Sequence, residues 1–157
     1  MGSGPAFYKY MAHQLPLENV ETVAYPGSVA LFLNDPRLAQ QAYVFSEPYL
    51  AQQQGADPVS LMVSDLGYNP YASSLVVQRA FMEQQPVLMA RFVRSVVRGW
   101  RHYLEQPDET NRVIQQLNQH MTPGVLSYGV QEIDKLCGPL DSPEVTFGAM
   151  TRDRWQT

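Results

Sequence analysis

Ser46-Glu47-Pro48 places two polar side chains where they can meet a ligand. Residues 41–45 read as a strand and Pro48 opens a helix, so the pair falls at the carboxyl edge of an expected sheet, where α/β proteins hold ligands. Glu47 can accept hydrogen bonds from a ligand amino group, and Ser46 can donate or accept one. The same residues also read as an N-cap serine followed by a first-turn acid that the helix dipole favours. The two roles are compatible. Pro26-Gly27-Ser28 is a second strand-to-helix corner, with Ser28 as a further contact.

Two other groups offer recognition chemistry. Gly2-Ser3-Gly4, just before a helix start, can present unpaired backbone N–H groups to an anion; the plainer alternative is a flexible terminus or a cloning scar. Tyr68, Asn69 and Tyr71 combine aromatic faces with directional polar edges in a turn, as small-molecule pockets do. They read equally well as tyrosines packed on their own sheet.

Other chemistries find little support. His13, His102 and His120 have no partner at metal-ligand spacing, and no serine, cysteine or histidine sits in a nucleophile motif. The chain therefore reads as a binder and not an enzyme, with no metal and no cofactor. One cysteine, Cys137, excludes an intrachain disulfide and reads as a small buried hydrophobe. Trp100 and Trp155 read as core anchors. Arg91, Arg94, Arg98 and Arg101 lie on one side of a helix and could suggest nucleic acid. In a chain of net charge −4 they read instead as a solvated face.

The elements that must position these residues follow from pattern. The chain has 157 residues, 45% hydrophobic and 17% charged, as a globular protein requires. Strands are expected at 19–25, 41–45, 59–63 and 73–77, interleaved with helices at 6–14, from Pro26 through Leu33, and from Ser46 to near Gly55. That alternation predicts α/β layering with a partly parallel sheet over residues 1–78. Residues 79–157 change character. A long amphipathic helix is expected at Pro86–Glu105, then helices from Pro107 to about His120 and from Val125 to Cys137, stopped by Gly138-Pro139. A final helical turn is expected near the end. No run of 18 apolar residues occurs, and the first residues lack the basic and apolar regions of a signal peptide.

Several segments in order resemble a solute-binding family of ABC importers whose members bind thiamine-pyrimidine precursors, aliphatic sulfonates, taurine or nitrate. They are 43–49 (Tyr-Val-Phe-Ser-Glu-Pro-Tyr) with Gln53-Gln54-Gly55-Ala56, then Gly67-Tyr68-Asn69-Pro70-Tyr71. Arg91-Phe92-Val93-Arg94 with Arg98-Gly99-Trp100 follows, and finally Gly148-Ala149-Met150-Thr151 with Arg154-Trp155. The resemblance implies a type II periplasmic-binding-protein-like lobe, a mixed sheet flanked by helices, with additional C-terminal helices leading back to a first lobe. It implies a small-molecule ligand held in a cleft that closes between two lobes, and an ABC permease as partner. A periplasmic or other extracytoplasmic location is implied too. The loops at Gly2-Ser3-Gly4 and Ser46-Glu47 would face that cleft, and Tyr68-Asn69-Pro70-Tyr71 would lie near the return crossing.

Against that pattern both ends read as cut, with no first lobe before Gly2 and an end at Thr157 inside an expected helix. One branch of the family makes the thiamine pyrimidine and carries a cysteine-rich motif, which this sequence lacks. The reading from a different class is a self-associating interaction or structural domain, a homo-oligomer formed through uncovered lobe surface.

Overall fold

A computed structural model describes residues 5–71, 73–138 and 147–156. It divides into two compact units, Met1–Tyr71 and Ala72–Thr157. The first contains α1 (Ala6–Gln14), α2 (Ala30–Asn34), α3 (Glu47–Gln53) and a 3-10 turn at Val63–Leu66. The second contains α4 (Arg79–Gln84), α5 (Pro86–Glu105), α6 (Pro107–Leu117), α7 (Pro123–Cys137) and α8 (Arg152–Gln156).

The expected α/β lobe with its mixed sheet is not what forms. Among the described residues there is no strand. Segments 19–25, 41–45 and 73–77, and 59–62 ahead of the 3-10 turn, run without ladder partners, and most of their apolar side chains face solvent: Val59 is 82% exposed, Leu61 86% and Val76 92%. Strand preference expresses packing against cross-strand and same-face neighbours more than any backbone tendency. A short run rich in valine and leucine that meets no neighbouring strand keeps the composition of a strand without its hydrogen bonds.

Helices need only local partners, and their punctuation acts as written. Pro86 and Pro107 occupy the first positions of α5 and α6. A proline pushes the residue before it out of the helical region, so Gln85 (φ −129°, ψ 49°) and Gln106 (φ −139°, ψ 73°) separate α4, α5 and α6. Thr122 caps α7, its hydroxyl oxygen accepting from the Val125 N–H at 3.4 Å, with Pro123 next. At the end of α3, the Ala56 N–H donates to the Ala51 carbonyl at 3.1 Å and the Gly55 N–H to that of Gln52 at 3.0 Å. With Gly55 at φ +85°, this is a Schellman closure. The helix expected from Pro26 starts later, at Ala30. Gly27 takes φ +76°, and the Ser28 hydroxyl oxygen accepts from the Ala30 N–H at 3.4 Å, which spends these residues on a turn.

Burial is sparse. The buried apolar side chains among the described residues are Val29, Pro48 and Ala51 in the first unit and Val125 and Leu126 in the second. Trp100 and Trp155, expected as core anchors, are 46% and 59% exposed. Cys137 is half-buried; burial first, and the charge of Asp134 second, push its thiol up, away from the reactive thiolate.

Candidate functional site

The first unit gathers its polar and aromatic side chains in two places. One is the start of α3. Ser46 stands at the N-cap but its side chain makes no capping bond. Glu47, at the first position of the helix, is half-buried, and both of its carboxylate oxygens are engaged. The Tyr25 hydroxyl donates to one at 3.0 Å and the Tyr43 N–H to the other at 2.8 Å. Tyr43 and Phe45 stack beside it, ring centroids 5.3 Å apart and planes 19° from parallel. Glu47 thus joins three stretches of chain and carries an aromatic rim. Each carboxylate oxygen has a second lone pair, so a ligand N–H can still be accepted. Burial, the bond to Glu47 and the charge of Glu47, in that order, push the Tyr25 hydroxyl up, so it stays protonated as the donor.

The second place is the 3-10 turn. The Tyr10 hydroxyl donates to the Leu66 carbonyl at 2.8 Å, and the Tyr10 and Tyr68 rings lie 5.2 Å apart, tilted by 41°. Gly67 between them has φ +94°, and a side chain there would begin 3.0 Å from the Tyr10 hydroxyl. Tyr68 and Tyr71 are half-buried, whereas Asn69 and Ser28 are exposed. Gly2, Ser3 and Gly4 lie outside the described residues.

Sequence reasoning singled out Glu47 but missed its partners Tyr25 and Tyr43. Tyr25 precedes a Pro-Gly turn and Tyr43 lies four residues before the glutamate. Nothing in the spacing of residues 25, 43 and 47 announces a shared hydrogen-bond network; it arises when two loops fold back on one helix start.

Two shallow concavities lie among the described residues of the second unit. One, of about 580 Å³, lies between α6 and α7 and is lined by Asp108, Asn111, Arg112, Ser127 and Gln131 among others. The other, of about 410 Å³, runs along α5 at Val93, Val97, Arg98 and Arg101, with Phe147 and Gly148 opposite. Neither is lined by Ser46 or Glu47. Among the described residues no group of three or more His, Cys, Asp or Glu could hold a metal ion, and no helix is long and apolar enough to cross a membrane.

Comparison with known proteins places the chain in a family. The family model described as NMT1/THI5 like matches residues 12–110, a stretch that contains Ser46, Glu47 and the turn at Tyr68. The chain belongs to the NMT1/THI5-like family. That is a family of substrate-binding proteins, typically extracytoplasmic. The chain is also 34% identical over 67 residues to the riboflavin-binding protein RibY of Chloroflexus aurantiacus, a stretch covering 43% of this chain and 19% of that protein. The chain thus matches about a fifth of the relative's length. No solved structure matches it.

Proposed function

We propose that this chain contributes to non-covalent capture of a small polar or anionic metabolite for delivery to an ABC permease. Membership of a substrate-binding family carries the reading, because the matched stretch includes the Glu47 corner. Glu47 supports it chemically: a carboxylate with spare lone pairs, set beside a stacked tyrosine and phenylalanine, suits a flat ring that bears N–H groups. A thiamine-pyrimidine precursor has that character. Sulfonates and nitrate are the anionic members of the expected ligand class. The relative's name adds riboflavin, another flat nitrogen-rich ring, to the candidates.

Calorimetry against an aminopyrimidine, taurine, nitrate and riboflavin tests the proposal. The ring ligands are expected to bind, and Glu47→Gln to weaken them about tenfold or more, since hydrogen bonds to a charged group contribute about 1.5–3 kcal/mol. Absence of binding by every member of the panel overturns the reading.

A further inference from the structure

The arginines of α5 do not all look onto open solvent. At about 100° per residue around the helix, Val93 and Val97 come first, at the margin of the apolar stripe, and Arg101, Arg94 and Arg98 follow in turn. Phe147, Gly148 and Ala149 stand against that flank, and together these residues line the concavity of about 410 Å³. Arg91 lies farther round the helix and is not part of its lining.

Gly148 lets the wall come close to the helix. Its φ of +79° is one that glycine adopts freely, and a side chain there would begin 3.0 Å from the Val97 Cγ2. Phe147 and Val97 are both half-buried. The groove therefore combines apolar side chains with guanidinium groups.

Two of those guanidinium groups carry charge without a counter-charge. Arg94 and Arg98 are one turn apart, their Cβ atoms about 6 Å from each other, and a like-charge pair at that spacing weakens its own helix. Both are exposed, and among the described residues neither forms an ion pair. The acid of α5, Glu105, lies two turns beyond Arg98. Arg101 is already engaged.

Two arginines so placed match one anionic head, since each can offer paired N–H donors to phosphate or carboxylate oxygens. The apolar lining asks for a body as well as a head. A groove of about 410 Å³ falls within the range of small-molecule sites, roughly 300–1,000 Å³. A chain of net charge −4 is a poor match for the long backbone of a nucleic acid. We propose that this groove binds a small organic anion, its charged head on Arg94 and Arg98 and its apolar body against Val97 and Phe147. The site shares no residue with the Glu47 corner, whose carboxylate repels such a ligand.

Phenyl phosphate, an anionic head on a ring, is the probe, with inorganic phosphate and phenol as its separate halves. In heteronuclear NMR titrations of the full chain it is expected to shift the amides of residues 93–101 and 147–149. It should bind about tenfold more tightly than either half. Arg94→Gln with Arg98→Gln is expected to weaken it about tenfold or more, as loss of two charged donors requires, and salt should weaken it in the unsubstituted chain. Gly148→Ala displaces the wall but keeps every charge. It is expected to bring phenyl phosphate down toward inorganic phosphate, with helicity by circular dichroism unchanged. Equal affinity for phenyl phosphate and phenol, shifts confined to other parts of the chain, binding that survives the double substitution, or attachment only to vesicles containing phosphatidylglycerol each overturns the proposal. An aminopyrimidine that shifts the Glu47 amide while phenyl phosphate shifts nothing removes this site alone and leaves the capture reading standing.

Discussion

Glu47 is the residue on which the first unit's polar architecture turns. Its carboxylate accepts from Tyr25 and from the Tyr43 backbone, so truncation removes two bonds and leaves both donors to water. Because Tyr25 is about half exposed, Glu47→Ala is expected to cost only about 0.5–1 kcal/mol in urea unfolding. The Tyr25 hydroxyl titrates above the ordinary tyrosine range, and the sign of its linkage follows. Its contribution to stability is complete below the ordinary tyrosine pKa and is lost as pH rises through the raised one. Ultraviolet titration of the tyrosines is expected to lose one late-titrating group in Tyr25→Phe. In Glu47→Gln that group should move back toward its ordinary range, because two of the three causes of its shift involve the Glu47 carboxylate.

Among the elements, helix termini carry the most testable energetics. Gly55 and Gly67 both sit at positive φ, but they differ in what surrounds them. A methyl group at Gly55 meets nothing within 4 Å, so Gly55→Ala is expected to cost only the backbone term, about 1 kcal/mol. At Gly67 the added carbon meets the Tyr10 hydroxyl at 3.0 Å. Gly67→Ala is therefore expected to cost more than Gly55→Ala in the same unfolding experiment, and to disturb the Tyr10–Leu66 bond. Thr122→Ala removes the cap of α7; at 3.4 Å that bond is long, and about 0.5 kcal/mol is expected. The close of α3 near Gly55 and the starts of α5 and α6 at prolines were legible in the sequence because glycine and proline act within one turn of where they stand; the 3-10 turn before Gly67 and the start of α7 at Pro123, two residues ahead of the expected Val125, were not. The strands were not, because a strand is completed only by residues far away in the chain.

For the molecule as a whole, the decisive feature is how little is buried. Val29, Pro48, Ala51, Val125 and Leu126 are a small core among the described residues, while Phe92, Trp100 and Leu117 remain exposed. A chain in this condition is expected to bind a hydrophobic dye strongly, and Phe92→Asp to bind it measurably less; a fluorescence titration with the dye checks this.

From sequence alone came the amphipathic division of α5, the proline breaks before α5 and α6, the close of α3 near Gly55, the helix start at Glu47 and the family. Each depends on neighbours a few residues apart or on ordered local segments. Only the tertiary structure decided that residues 19–25, 41–45, 59–62 and 73–77 lack a sheet, that Tyr25 and Tyr43 converge on Glu47, and that Trp100 lies open. Those outcomes depend on which distant surfaces meet. Alternation of side chains can state a preference for burial, but it cannot supply the partner that completes it.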